Sequence, residues 1–263
     1  MGKNGDFYIG WQEEMSDAQR RFLKKRLLPL FIGIPILVFL FVFFQKPFNQ
    51  HLFEFGNISE ITGVYYSQPF PMLIAEEGAL SDELAKDILL VGFGKFGARG
   101  IMDALSIEHG KLEGKQLTLA GTLIHGDGKT LLELTDETNS LVKVGEKVNT
   151  VNSVSPNTIP ITLEGEILDP KCYFGVMKPG EGKIHKSCAI RCISGGIPPV
   201  FRQATGDKNR PYDYFLVVNE EGNSMNQTVL PFVGEPITAS GNTADFMGWK
   251  ILYTDQSKLK ALE

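Results

Sequence analysis

The chain has 263 residues, a formal net charge of −5 and only three cysteines. The acidic balance argues against a nucleic-acid partner, the more so because the densest basic cluster lies within the first 26 residues. Beyond a hydrophobic N-terminal stretch the chain is long enough for one large or two small domains, and it has no low-complexity tract.

In chain order, residues 1–26 read as a cytoplasmic tail. Leu27–Phe44 (LLPLFIGIPILVFLFVFF) carries no charge and suffices for a short membrane-spanning helix, lipid tolerating its Pro29, Gly33 and Pro35. Arg20, Arg21, Lys24, Lys25 and Arg26 precede it, whereas Lys46 alone follows closely. This asymmetry puts the N-terminus in the cytoplasm and the remainder outside. A cleaved signal peptide fits less well, because the leading segment contains acids and no small-x-small site follows Phe44. Asn57-Ile58-Ser59 and Asn226-Gln227-Thr228 match the glycosylation sequon.

After the anchor the pattern is mainly β. Strands are expected at Thr62–Tyr66, Met72–Ala75 and Ile88–Phe93, with a short helix at Ser81–Lys86 capped by Ser81. Asp127-Gly128, between two alternating apolar runs, is a strong two-residue hairpin signal. An extended Val142–Val151 and a linker at Ser155–Pro160 follow. The second half offers strands at Ile161–Leu168, Pro199–Gln203, Tyr214–Val218 and Thr228–Phe232. A last pair, Glu235–Ala239 and Trp249–Tyr253, is joined by a polar loop through Gly241. Short strands with Gly and Asp turns predict small barrels or sandwiches, and GTLI at 121–124 has a counterpart in GEIL at 165–168. The expected architecture is a single transmembrane helix (27–44) followed by two OB-like β-barrel modules, 52–154 and 160–256, the second with a short cysteine-bearing helix.

Gly92, Gly94 and Gly97 have the G-x-G-x-x-G spacing after an apolar strand. A dinucleotide-binding turn also needs a following helix and a second parallel strand. Here a short segment and an antiparallel hairpin are expected, so the glycines are read as relieving crowding at a bulge or barrel corner. An enzyme holding a phosphate-bearing ligand on this loop is the competing reading. Asp127, Glu133 and Asp136 read as solvated turn residues, and His109 and His125 as surface histidines. No G-x-S-x-G, H-E-x-x-H or Walker motif occurs, which favours a protein without catalytic activity of its own.

The densest chemistry lies in Gly165–Pro199, which holds every cysteine and one of the four histidines. Gly195-Gly196 ends a short helix on which His185, Cys188 and Cys192 fall at i, i+3 and i+7, one face. Cys172 precedes it by a loop that can fold back over that face. A disulfide from Cys172 to Cys188 or Cys192 is one reading, stabilising by roughly 2–4 kcal/mol. A metal site on Cys172, His185, Cys188 and Cys192 is the other, thiolate and imidazole suiting copper or zinc, with Met177 as a weak axial ligand. Thiol redox ranks third, as no C-x-x-C is present.

The Cys188-x3-Cys192 run resembles the binuclear copper site of cytochrome oxidase subunit II and its copper-delivery proteins, although here His185 precedes the pair. The wider segment resembles a module of bacterial exported and membrane-tethered proteins, G-E-x-x-D-x-K-C-Y, then H-x-x-C-A-x-x-C-I, then Gly-Gly. The matches are Gly165, Glu166, Asp169, Lys171, Cys172, Tyr173, His185, Cys188, Ala189, Cys192, Gly195 and Gly196. The resemblance implies a single-pass bacterial inner-membrane protein with a periplasmic C-terminal part. Its partners would be the lipid bilayer and other inner-membrane subunits, and its role that of an accessory subunit of a redox or respiratory complex. The alternative is a periplasmic copper- or zinc-handling protein.

Overall fold

The computed structural model describes residues 15–44, 51–135, 139–148, 158–208 and 210–262. The chain divides into two units, residues 1–49 and 50–263. The first holds helix α1 (Asp17–Phe44), 28 residues long and apolar enough to cross a membrane, with no buried residue. It begins ahead of the uncharged stretch, so Arg20 to Arg26 form its first turns. Lys46 lies outside the described residues.

The second unit is β-rich. Its first part runs β1 (Leu52–Phe53), β2 (Ser59–Tyr66), β3 (Met72–Ala75), β4 (Asp87–Val91), α2 (Arg99–His109), β5 (Lys115–Gly126), β6 (Lys129–Leu134) and β7 (Leu141–Lys147). Its second part runs β8 (Ile159–Leu168), α3 (Gly182–Ser194), β9 (Val200–Ala204), β10 (Tyr212–Val218), β11 (Pro236–Phe246), β12 (Trp249–Tyr253) and β13 (Leu259–Ala261). In the first part β2-β3-β4-β6-β5 close into a ring, β4 and β6 pairing parallel and every other neighbour antiparallel. In the second part β8-β9-β10-β12-β11 close likewise, with β10 and β12 the parallel pair. The two five-stranded barrels therefore share one OB-like strand order, as expected from sequence.

Each barrel closes its fourth and fifth strands with a two-residue turn. Asp127 and Gly128 have φ of 49° and 70°, and Met247 and Gly248 have 44° and 68°. Two successive positive φ values match the right-handed twist of the flanking strands.

The apolar runs ILLV (88–91) and FLVV (215–218) do not alternate with polar residues because both faces are buried. Ile88 and Leu90 point into the first barrel, with Leu132 and Met102, while Leu89 and Val91 join a second core. Phe215 and Val217 fill the second barrel, with Ile193 and Leu252, while Leu216 and Val218 face that same second core. The shared core, containing Phe174, Trp249 and Ile251, is where the barrels meet. Helices α2 and α3 each contribute to one barrel interior, through Met102 and Leu105 and through Ala189 and Ile193.

Four expectations change. Ser81–Lys86 forms a turn rather than a helix, a single turn being too short to offset helix nucleation before β4 begins. Helix α2 lies where only a short segment was expected, yet the chain reaches β6 through antiparallel β5, so no dinucleotide-binding unit forms. Thr228–Phe232 is not a strand: Pro231 lacks the N–H that pairing needs, and Leu230–Phe232 is a 3-10 turn. Strand β11 runs straight through Gly241, where a Cβ would sit 2.0 Å from the Tyr253 carbonyl oxygen, and it pairs with β12 through Asn242–Phe246 instead of Glu235–Ala239. Of the linker Ser155–Pro160, residues 155–157 lie outside the described residues, and Ile159 already opens β8.

Candidate metal centre

Strand β8 delivers the site. After Leu168, Asp169-Pro170-Lys171 lead into a π-helical turn, Cys172–Val176, in which the Met177 N–H donates to the Cys172 carbonyl at 3.0 Å. Such wide turns are frequent at functional sites. A loop then carries the chain to α3, whose His185 and Cys192 are buried and whose Cys188 is half-buried. The one-face spacing holds, and that face meets Cys172.

The side chains fall into two overlapping triads. The donor atoms of Cys172, His185 and Cys188 lie within 4.8 Å of one another, as do those of Asp169, Cys172 and Cys192. Cys172 belongs to both. All three cysteines are free thiols, so the expected bridge from Cys172 to Cys188 or Cys192 is not formed. Met177 is 42% exposed and belongs to neither triad. Asp169 is an addition. In the sequence it is only one match of the wider motif, and the fold turns it inward.

The first barrel reaches this cluster through its glycine loop. Lys95 Nζ donates to Cys188 Sγ at 2.9 Å and stands 4.0 Å from Cys192 Sγ. The Gly97 N–H donates to the Gly195 carbonyl at 3.0 Å, and a Cβ on Gly97 would lie 2.0 Å from the Gly196 carbonyl oxygen. The glycines thus let two backbones touch, as the crowding reading expected. The phosphate reading fails physically, because the amides of Gly92, Gly94 and Gly97 are already donated to Phe96, Glu133 and Gly195.

Lys171 fastens the other side of the loop. Its Nζ donates to the Gly92 and Gly94 carbonyls at 2.9 and 2.6 Å and to Glu133 Oε1 at 2.7 Å. Lys171 and Glu133 are both buried, which corrects the reading of Glu133 as a solvated turn residue. Asp136 lies outside the described residues. Asn226 is likewise structural: its amide donates to the Ile193 and Ile197 carbonyls at 2.7 Å each, closing the end of α3, so this sequon side chain is engaged inside the fold.

The surroundings favour the neutral forms of Cys172 and His185. The Cys172 thiol is held far above its ordinary pKa by its bond to Cys192, by burial and by the Asp169 charge. Burial pushes His185 below its usual range, with Asp169 opposing. The Lys95 ammonium is favoured by its bond to Cys188. Two polar atoms are nonetheless buried without partners, His185 Nε2 in one triad and Asp169 Oδ2 in the other. A buried orphan of this kind calls for an ion or water. Three thiols, an imidazole and a carboxylate fit copper or zinc as a donor set.

A second polar chain lies between the barrels and was missed in the sequence. His51 Nδ1 meets the Tyr173 carbonyl at 3.0 Å and Nε2 meets Asp127 Oδ1 at 3.0 Å. Tyr214 donates to Asp127 Oδ2 at 2.5 Å, Tyr173 and Tyr214 hydroxyls are 3.3 Å apart, and Arg202 donates to Tyr173 at 3.1 Å. Asp127 is therefore tied into the fold, and burial, though it raises the carboxyl, is outweighed by the His51 and Tyr214 bonds, leaving its pKa lowered. His125 is half-buried against Glu54 at 3.2 Å, and His109 ends α2 partly exposed.

Comparison with protein-family models, curated proteins and solved structures finds no match to this chain.

Proposed function

We propose that this is a membrane-tethered metal-binding protein whose β-barrels hold a thiophilic metal ion on Cys172, His185 and Cys188, with Cys192 and Asp169 adjoining. The carrying observation is the convergence of those three donors within 4.8 Å, together with a His185 whose Nε2 is buried without a hydrogen-bond partner. Soft thiolates and imidazole select copper(I) or zinc. The apolar α1 supports the tether, and the basic residues ahead of Leu27 support an outer, periplasmic placement of the barrels. The test uses the full chain, purified in mild detergent under reducing conditions, exposed to copper(I) or zinc and desalted. Elemental analysis should find at least near-stoichiometric retained metal, and chelation should then release three titratable thiols. Metal-free protein after loading, or a single free thiol, refutes the reading.

A second reading, an accessory subunit of an inner-membrane redox complex, is favoured by the exposed anchor. Gly33, a small residue within α1, is of the kind that lets another transmembrane helix approach closely. Mild-detergent purification from the native host should then recover partner subunits with α1 intact and lose them when α1 is replaced by an unrelated anchor.

A further inference from the structure

The donor groups outnumber what one ion needs, and they do not all converge on one point. The group of Cys172, His185 and Cys188 is mutually close, and the group of Asp169, Cys172 and Cys192 is mutually close. Each group contains one buried atom without a hydrogen-bond partner, His185 Nε2 in the first and Asp169 Oδ2 in the second. Asp169 is completely buried, and its other oxygen, Oδ1, accepts the Lys171 N–H at 2.9 Å. That bond fixes the carboxylate, which leaves Oδ2 as the free donor atom of the second group. A carboxyl oxygen buried without a hydrogen-bond partner is costly to keep, and a cation seated against it removes that cost.

Resting on the metal-binding reading above, we infer that the cluster is built for two divalent ions of the zinc type that share the Cys172 sulfur. The outer ion takes Cys172, His185 and Cys188, and the inner ion takes Asp169, Cys172 and Cys192. The donor chemistry selects the ion. Zinc accepts thiolate, imidazole and carboxylate alike, whereas a carboxylate oxygen is a poor partner for copper(I). With each Zn–S bond about 2.3 Å, a shared sulfur holds the ions within about 4.6 Å of each other. The half-buried Cys188 puts the outer position on the solvent side, and the inner position is enclosed by buried residues only.

Cobalt(II) serves as the spectroscopic probe, added to the reduced, metal-free full chain in detergent. Thiolate-to-cobalt absorption should rise until two equivalents are bound. The high-spin cobalt EPR signal should peak near one equivalent and fall on the second, because spins bridged by one sulfur couple. Asp169→Asn keeps the Oδ1 acceptor for Lys171 and should stop at one equivalent. Cys192→Ser makes the same prediction through a different ligand, so misfolding of one variant does not decide the matter. Saturation of the wild type at one equivalent overturns the shared-sulfur pair and leaves the single-ion reading standing. Two equivalents retained by both variants overturn it as well. No cobalt or zinc bound at all removes the metal reading itself.

Discussion

The two barrels follow one strand order and differ in where the chain leaves it. In the first barrel the connection between the first and second strands is residues 67–71. In the second barrel the corresponding connection is residues 169–199, and it holds the π-helical turn, α3 and every cysteine. The first barrel spends its long excursion between the third and fourth strands, where α2 plugs its interior through Met102 and Leu105. Equivalent scaffolds thus carry a helix that only packs in one case and a helix that also bears two cysteines and a histidine in the other. Chemistry is set by which loop is enlarged, the barrels supplying rigid ends for it.

The largest break in this comparison comes from the buried contact joining the two. Replacing Lys171 by Met strands Glu133 without its counter-charge, and chemical denaturation should show a loss of about 3–5 kcal/mol. Adding Glu133→Gln should recover part of it, since the remaining cost is then of neutral groups. Next, Cys172→Ser removes the one residue common to both triads; metal affinity should fall at least 100-fold, about 2.7 kcal/mol, in competition with a chromophoric chelator. Gly97→Ala drives a Cβ into the Gly196 carbonyl oxygen and should destabilise by about 1–3 kcal/mol, with weaker metal retention because Lys95 and α3 are pushed apart. Gly100→Ala sharpens the contrast. Gly100 lies in the first turn of α2 with nothing within 4 Å of a built Cβ, so the change should stabilise by about 0.5–1 kcal/mol and leave metal binding untouched.

A pH prediction probes the other polar chain. Asp127 has a lowered folded-state pKa, so its contribution is present above the unfolded carboxyl pKa and disappears as pH falls through the folded value. Asp127→Asn, which tolerates the positive φ of this turn, should lower stability near neutrality, where the ionised carboxylate contributes, and flatten the acid limb so that the variant and the wild type converge at low pH.

Strand positions were legible because local signals were strong: Asp127-Gly128 fixes a hairpin, and Met72–Ala75 and Trp249–Tyr253 stand where the apolar runs put them. The partner of each strand face was not legible. In Ile88-Leu89-Leu90-Val91 nothing local says that Leu90 points into its own barrel and Leu89 toward the other. The cysteine-bearing helix and its face could be read from spacing alone. Asp169, Lys171 and Lys95 could not, because a carboxylate at a strand end and lysines in loops are usually solvated; only the folded contacts turn them inward. Helix α2 escaped notice because just Met102 and Leu105 of RGIMDALSIEH are buried, and a glycine-rich loop precedes it.

Small barrels of this topology commonly present one sheet face to ligands. Here β10 turns Leu216 and Val218, and β4 turns Leu89 and Val91, onto the opposite barrel, so those strand faces are spent on mutual cover. Anything seated among the sulfurs then lies beside a seam crossed by Lys95 from one half and by Lys171 from the other. Prying the halves apart would uncover grease and pull Lys95 off Cys188 in a single event, which makes the reactivity of that thiol a gauge of whether the head is whole.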